Sequence, residues 1–313
     1  MNKSALFTYP FEQDLIDQDF LDAPALVINA SYDSKFDNVS NVLIVQNYKY
    51  NFAGWEVKGY NVSTEIPSGT KFKTIFCQIP QSKEHSLYLM AESFNALEEN
   101  GVLICMAGNN ENGKRLKKWF ESFGLNAQSE SKQKQRIVWS YKENIQQEIV
   151  NEYLEKYGIQ KVVSNGIEFY TEPGIYGWNK IDNGSQLLVN RLPDNLKGYG
   201  ADYGCGYGFL SQSIVSENIK SIDCFDADYS ALYCAEKNII NANCQLKFIH
   251  MDLVSNKAEK KYDWIVMNPP FHQGKDANSD IGSKFIENAA ASLRPKGMLY
   301  MVANNFLPYE KIL

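Results

Sequence analysis

The sequence predicts an α/β protein made of two tandem Rossmann-like units, each built around a parallel sheet. Strand-like apolar runs alternate with helical stretches along the chain, which is typical of parallel strands joined by crossover helices. The chain has 313 residues, enough for two units with separate cores. A series of elements in the first half also recurs in the second.

This recurrence is visible in the order of the elements. The strand-like "KTIFCQIP" precedes the helical "SLYLMAESFNALEE", a glycine and the strand-like "VLICMAGNN". The strand-like "DWIVMNPP" likewise precedes a helical stretch, "PKG" and "MLYMVANN". Two α/β units can be alike by chance, but we interpret the shared order as a duplication.

The duplication predicts two domains, 1–150 and 160–313, joined by a charged helix within "YKENIQQEIVNEYLEKYGIQK". The N-terminal domain is predicted to be degenerate, for two reasons. It has Gln78-Ile79-Pro80 where the other has Asn268-Pro269-Pro270, and its first good strand, "NVLIVQNYKY", leads into no glycine turn.

In the second domain we predict strands at "GYGADYG", "SIDCFDA", "QLKFIHMD", "DWIVMN" and "GMLYMVAN". Helices are predicted at "FLSQSIVSEN", "YSALYCAEKNIINAN" and "SDIGSKFIENAAASLR". The first of these strands is the weakest, because "GYGA" lacks the β-branched residues expected of a central strand.

Composition excludes several classes of protein. The hydrophobic share of 44% and the charged share of 22% are ordinary for a globular protein. We find no signal peptide and no apolar run of roughly 18 residues, so a cytoplasmic protein without a membrane span is expected. Six cysteines without CxxC spacing and only three histidines predict neither a disulfide framework nor a metal site.

The charge balance argues against bulk binding of nucleic acid. The net charge is −6, and residues 160–313 hold 15 basic against 17 acidic side chains. A nucleic-acid substrate would therefore need a local patch. The stretch "NGKRLKKW" (112–119) is one candidate, although a solvated helix face is the favoured interpretation.

Alternate glycines follow the first strand of the second domain, in Asp202-x-Gly204-x-Gly206-x-Gly208. Such glycines let the backbone turn tightly and approach a ligand closely. The spacing is GxGxG rather than GxGxxG, so the dinucleotide fingerprint is not met. Cys205 lies inside the turn as a small filler, and Tyr207 is bulkier than such a turn requires.

Two acids end the next two strands. Asp226 follows Gly204 by 22 residues, where a carboxylate accepts ribose hydroxyls of an adenosine. Asp252 ends the third strand, where an adenine amino group could donate to it. Acids at strand ends are also common helix caps, but with the glycine turn they favour an S-adenosylmethionine site.

The stretch Asn268-Pro269-Pro270-Phe271 ends the fourth strand. Proline does not donate to a sheet, so the strand must stop there, at the edge where α/β proteins bind ligands. The Asn268 oxygen and the Pro269 carbonyl can hold an amino group and aim its lone pair at a methyl donor, while Phe271 stacks on a planar base. The alternative is a plain strand-ending turn.

The chain resembles the bacterial small-subunit ribosomal RNA (guanine-N2) methyltransferase C family. The resemblance runs over about residues 165–310 through "PGIYGWNKIDNGSQLLV", "DYGCGYGFLS", "NPPFHQG" and "VANNFLPY". In the first half "PQSKEHSLYLM" and "GVLICMAGNNENGKR" resemble the degenerate domain of that family.

The resemblance implies two class I methyltransferase domains, the N-terminal one degenerate. It implies methyl transfer from S-adenosylmethionine to a guanine N2 amine of 16S rRNA in the small subunit, by a cytoplasmic enzyme expected to be a monomer that needs no metal and no membrane. The cofactor would lie against the turn, the strand-end acids and the segment before the first strand: Asp202, Gly204, Cys205, Gly206, Asp226, Asp252, Gly184 and Ser185. Asn268 through Phe271 would hold the guanine.

Two departures from the family stand out. Tyr207 occupies a place where the family has a small residue. Family members also continue past "FLPYEKIL" to a closing antiparallel pair of strands, so either a truncated chain or a further tail beyond the given sequence is expected.

Alternative functions remain open at this stage. They are guanine-N2 methylation of large-subunit rRNA, N5-methylation of a protein glutamine, and a non-catalytic rRNA-binding assembly factor.

Overall fold

The computed structural model describes residues 3–240, 243–269 and 279–303. The chain divides into two compact units, Met1–Gly158 and Ile159–Leu313. Within the described residues, no helix is long and apolar enough to cross a membrane. All six cysteines are free thiols.

The first unit contains seven strands and six α-helices among its described residues. The strands are β1 (Ala25–Ile28), β2 (Val42–Val45), β3 (Asn61–Ser63), β4 (Phe72–Gln78), β5 (Leu97–Gly108), β6 (Gln128–Lys132) and β7 (Gln135–Tyr141). The helices are α1 (Tyr9–Glu12), α2 (Asp19–Asp22), α3 (Lys49–Glu56), α4 (Lys83–Ala96), α5 (Leu116–Ser122) and α6 (Gln147–Tyr157). Three 3-10 helices span Lys3–Leu6, Ser34–Asn38 and Gly113–Arg115.

These strands form one sheet in the order β3-β2-β1-β4-β5-β7-β6. The first five are parallel, and β7 runs antiparallel to both β5 and β6. The run "NVLIVQNYKY", predicted as the first good strand, contains β2, but β1 precedes it in the chain and was not predicted. The true first strand, β1, has only four residues, all of them buried.

Apolar side chains cover both faces of this sheet. One face packs against α4 and α5, whose Met90, Phe94 and Phe120 are fully buried. The helix expected to connect the domains, α6, also packs here, with Val150 fully buried. The other face holds an aromatic cluster that includes Trp55.

The second unit has a two-stranded hairpin, a five-stranded sheet and four helices among its described residues. The strands are β8 (Gln160–Ser164), β9 (Ile167–Thr171), β10 (Gly198–Tyr203), β11 (Ile219–Asp226), β12 (Gln245–His250), β13 (Tyr262–Met267) and β14 (Leu293–Met301). The helices are α7 (Asn183–Val189), α8 (Phe209–Ile214), α9 (Tyr229–Asn238) and α10 (Ser279–Ala291).

The larger sheet has the order β12-β11-β10-β13-β14 and is parallel throughout. Counted from its own first strand this order is 3-2-1-4-5, which is also the order of the parallel part of the first unit. The two units therefore share one topology, as the predicted tandem fold requires.

The weak strand β10 is explained by a neighbouring indole. The Trp264 ring lies so close to Gly200 that a Cβ there would come within 2.1 Å of it, and Trp264 donates its Nε1 hydrogen to the Lys197 carbonyl at 3.0 Å. The glycine at this position is therefore required by packing, although it weakens the sequence signal for a strand.

The sequence did not predict the hairpin β8–β9, in which one amide bonds β9 to the end of α9 and to the glycine turn. Asn238, at the end of α9, accepts from the Tyr170 nitrogen at 2.6 Å and donates to the Tyr170 oxygen at 2.8 Å. The same amide donates to the Tyr207 carbonyl at 2.8 Å. The hairpin is thus fastened beside the glycine turn.

Candidate active site

The glycine turn follows β10, and its backbone needs glycine. Gly204, Gly206 and Gly208 have φ values of 73°, 56° and 89°, which side chains with a Cβ rarely adopt. A Cβ on Gly208 would lie 3.1 Å from Ala235 of α9, whereas one on Gly206 would meet nothing within 4 Å. Gly208 thus permits close helix packing, while Gly206 faces open space.

The carboxylate of Asp202 lies beneath this turn rather than in the open space. It is fully buried, and its Oδ2 accepts from the Ser211 nitrogen at 3.1 Å and from the Ser211 hydroxyl at 2.7 Å. Burial raises the pKa of Asp202 to about 7, against the opposing effect of the Ser211 bonds. Asp202 therefore ties the turn to the start of α8.

Cys205 is buried inside the turn, where burial raises the pKa of its thiol. Its backbone N–H and that of Gly204 both donate to the Phe225 carbonyl at 2.9 Å. Tyr207 stacks on Phe169 of the hairpin with ring centroids 4.5 Å apart and planes 8° apart. The bulky side chain that departs from the family pattern therefore packs against the hairpin.

Asp226 ends β11 and faces the glycine turn. Its Oδ2 accepts from the Gly206 nitrogen at 2.8 Å and its Oδ1 from the Asp228 nitrogen at 2.9 Å. Burial raises the pKa of Asp226 despite these bonds. Each carboxylate oxygen has a second lone pair, so Asp226 can accept further hydrogen bonds from a ligand.

Asp228 lies near Asp226, Glu172 lies near Asp228, and neither acid was predicted as a site residue. Asp228 caps α9 by accepting from the Ser230 nitrogen at 3.0 Å. Burial, together with the charges of Asp226 and Glu172, raises the pKa of Asp228 to about 7, and burial raises the pKa of Glu172 as well. An acid just before a helix is a signal for the Asp228 cap, but nothing in the sequence marks Glu172.

Asp252 lies just after β12, where the sequence predicted it. Its side chain is only 5% exposed, and Oδ1 accepts from the Val254 nitrogen at 2.9 Å. The side chain thus stabilises its own turn at the edge of the sheet. The adenine-binding role stays a prediction.

Asn268 lies directly after β13, and its amide is held by two partners that follow the hairpin. Its Nδ2 donates to Asp182 Oδ2 at 2.9 Å and to Ser185 Oγ at 2.8 Å. Both N–H bonds of the amide are therefore used, and the carbonyl oxygen has no recorded partner among the described residues. Pro269 is buried, while Pro270 and Phe271 lie outside the described residues.

The structure brings most of the predicted residues to one edge of the second unit. Asp226 ends β11, Asp252 and Asn268 follow β12 and β13, and the glycine turn follows β10, which lies between β11 and β13 in the parallel sheet. Ser185 joins this edge through Asn268. The strand-end carboxylates and the open backbone of the glycine turn are suited to bind a nucleoside. The carbonyl of Asn268, at the same edge, is suited to accept a hydrogen bond from an amine.

The basic stretch 112–119 belongs to the first unit. Leu116, Trp119 and Phe120 are buried there, and its four basic side chains are exposed. This is the solvated helix face that was the favoured interpretation of the sequence. The alternative role in phosphate binding stays a prediction.

The family model for the methyltransferase small domain matches residues 166–313. The ribosomal RNA small subunit methyltransferase C of Aliivibrio fischeri is 27% identical over 278 residues, which is 88% of this chain and 81% of that protein. The corresponding protein of Vibrio vulnificus is 29% identical over 238 residues, 75% of this chain and 68% of its own length.

A solved structure matches across both units. It is the 16S rRNA N2 methyltransferase of T. thermophilus in complex with AdoMet (S-adenosylmethionine) and guanosine, with a TM-score of 0.77 and 21% identity over 92% of this chain and 82% of its own. This likeness shows the fold. Residues 166–313 thus match the methyltransferase small domain, and the predicted resemblance of the chain to the ribosomal RNA small subunit methyltransferase C proteins is confirmed.

Proposed function

We propose that this protein transfers the methyl group of S-adenosylmethionine to the exocyclic N2 amine of a guanine in 16S rRNA of the small ribosomal subunit. The observation that carries the proposal is the oriented amide of Asn268 beside the glycine turn, whose carbonyl oxygen has no hydrogen-bond partner among the described residues. The names of the relatives, and the guanosine bound to the T. thermophilus enzyme, support the choice of substrate.

The residues of the second unit fit the cofactor. A Cβ at Gly206 would enter open space, so the turn leaves room for a ligand against its backbone. Asp226 has lone pairs for ribose hydroxyls, and Asp252 would accept from the adenine amino group. Gly184 and Ser185 would lie at the methionine end. When bound, S-adenosylmethionine supplies a methyl group on a positively charged sulfur.

Asn268 and Pro269 would act on the amine of the substrate. The lone pair of a guanine amine is delocalised into the ring, which makes the nitrogen a poor nucleophile. Hydrogen bonds from both N–H groups, one to Asn268 Oδ1 and one to the Pro269 carbonyl, would favour a tetrahedral nitrogen and aim its lone pair. Most of the rate gain would come from this orientation.

The two units would differ in cofactor binding, with the cofactor site in the second one. In the first unit, the residue after Asn29 at the end of β1 is Ala30, and its carbonyl accepts from Gln46 Nε2 at 3.0 Å and from Trp55 Nε1 at 2.9 Å. The indole of Trp55 is fully buried. A packed side chain thus lies where the second unit has a glycine turn, which supports a first unit without a cofactor site.

The test is methylation of defined substrates by the purified protein with labelled S-adenosylmethionine. Unmodified small subunits, large subunits and release factors would be offered in parallel, and labelled nucleosides identified by mass. We expect N2-methylguanosine from small subunits only. Label in large subunits or in release factors would point to the two alternative enzymes.

Two variants complete this test. Asn268→Ala should lower the rate on the order of a hundredfold or more, the range of loss for a transition-state hydrogen-bonding group, with cofactor affinity unchanged. Asn195→Ala, an exposed asparagine of the same unit, serves as the control and should be fully active. Cofactor binding with no label in any substrate would refute the enzyme and favour a binding protein. A monomer acting in the cytoplasm stays a prediction.

A further inference from the structure

We propose that Asp182 is a positioning residue that holds the Asn268 amide in the one orientation able to accept from the substrate amine. The inference rests on the proposed function and deepens it. Among the described residues, its side chain bonds to Asn268, Ser185 and Tyr176. Of these three, Asn268 is the one that would meet the substrate amine.

The contacts of Asp182 form a small network. Its Oδ2 accepts from the Asn268 Nδ2 at 2.9 Å and from the Ser185 nitrogen at 2.9 Å, which caps α7. Its Oδ1 accepts from the hydroxyl of Tyr176 at 3.2 Å. Ser185 supplies a second acceptor for Asn268, its Oγ at 2.8 Å.

This network decides which end of the Asn268 amide faces the site. The oxygen and nitrogen of an amide are nearly equal in size, so shape alone does not choose between the two orientations. A carboxylate only accepts, so the NH₂ group of Asn268 must face Asp182, and the carbonyl oxygen is turned away from α7. A flipped amide would set its oxygen against Asp182 and lose a charge-assisted bond.

The chain brings Asp182 to this place by close packing. Asp182 and Asn268 are 86 residues apart in sequence, and Gly184 lies between the α7 cap and β14. A Cβ on Gly184 would come within 2.9 Å of Asp182 Oδ2 and 3.3 Å of Val302 Cγ2. Without a side chain at Gly184, the helix start can pack closely against Val302, which follows β14 and donates its N–H to the Met267 carbonyl at the end of β13. This packing helps to hold Asp182 beside the amide.

Two substitutions of Asp182 separate capping from positioning. Asp182→Ser keeps a good helix cap, but its shorter side chain does not reach Asn268. Asp182→Asn keeps the helix cap, and its side-chain oxygen is as far from the backbone as the carboxylate oxygen, so it can still accept from Asn268. Asp33→Ser, at the cap of a 3-10 helix in the first unit, is the matched control for loss of an aspartate cap.

We expect Asp182→Ser to lower kcat roughly tenfold or more, the factor that corresponds to one lost hydrogen bond to a charged group. The KM for small subunits and the Kd for S-adenosylmethionine, measured by calorimetry, should stay within about twofold. Asp182→Asn and Asp33→Ser should retain kcat within about threefold. Equal losses in Asp182→Ser and Asp182→Asn, or a parallel rise in the cofactor Kd, would overturn the proposal.

A second readout is independent of activity. The side-chain amide protons of Asn268, assigned in ¹⁵N spectra by their absence from Asn268→Ala, should exchange slowly with solvent in the wild type and in Asp182→Asn, and faster in Asp182→Ser. Equal exchange in the wild type and Asp182→Ser would overturn the positioning role even if every methylation assay were negative. A wild type that is inactive but shows the expected exchange would instead refute the proposed substrate and leave the positioning role supported.

Discussion

Replacing Asp202 by asparagine should make the protein more stable at neutral and alkaline pH. Asp202 is fully buried beneath the glycine turn, with one carboxylate oxygen bonded to Ser211. Its other oxygen, Oδ1, has no hydrogen-bond partner among the described residues. Asparagine has the same shape as the protonated acid and can still accept from Ser211, but it carries no charge.

The magnitude follows from the pKa. The pKa of Asp202 rises from 3.8 to about 7 in the folded protein, mainly through burial and with a smaller contribution from Asp226. Between these values the folded state keeps a proton that the unfolded state has lost, so the free energy of unfolding falls by about 1.4 kcal/mol per pH unit. The slope flattens near the folded pKa, where Asp202 is half ionised, so from pH 5 to pH 7 the wild type should lose about 2.3 kcal/mol that Asp202→Asn does not lose.

The assay is urea unfolding of both proteins between pH 5 and pH 8. The difference in unfolding free energy, variant minus wild type, should grow with pH up to about 7 and then level off. Asp263→Asn is a control of opposite sign. Burial raises the pKa of Asp263, but the Tyr199 amide and the Arg294 guanidinium together lower it. That variant should therefore lose stability at neutral pH and lose less as the pH falls. A difference for Asp202→Asn that is independent of pH would refute the reasoning.

Two further predictions concern packing. Gly200→Ala should destabilise the second unit by about 1–3 kcal/mol, because the new methyl group would overlap the Trp264 ring. Gly54→Ala, in α3 with open space around it, should instead stabilise the first unit by up to about 1 kcal/mol, and equal effects of the two in urea unfolding would contradict the packing argument. Phe169→Leu should lower the free energy of unfolding by about 1 kcal/mol through loss of the stack on Tyr207, and an unchanged urea midpoint would show that the stack contributes nothing.

Much of the fold was visible in the sequence, because the buried parallel strands are long apolar runs. Four of these strands, β4, β5, β11 and β13, were placed correctly, and each lies within a strongly apolar stretch. The strand β1 was missed because it has four residues and no alternating pattern. The hairpin β8–β9 was missed although Asn165-Gly166, with φ values of 52° and 77°, is a hairpin-turn signal between its strands.

The site was predictable where a residue type coincides with the end of a strand. Gly206, Asp226 and Asn268 each follow a strand of the second unit and could be chosen one by one. Asp182 could not be chosen in this way, because its importance lies in a contact with a residue 86 positions later. Local patterns report what a residue does to its own backbone, whereas the orientation of a side chain is set by partners from distant segments.

The two units share one topology, but the residues at the carboxyl edge of their sheets differ. In both units the residues after the first strand lie among the carboxyl ends of neighbouring strands, so they face the same place in the fold. In the second unit every other one of these residues is a glycine, and Gly206 donates to Asp226 while facing open space. In the first unit the backbone at Ala30 is bonded instead by Gln46 and Trp55, and the indole is packed among other aromatic rings.

A glycine turn without a Cβ leaves its backbone open to a ligand, whereas a turn bonded to a buried indole has satisfied its backbone within the protein. The difference in function that we propose therefore follows from what occupies the end of the first strand in each unit, and the shared sheet order is compatible with either outcome.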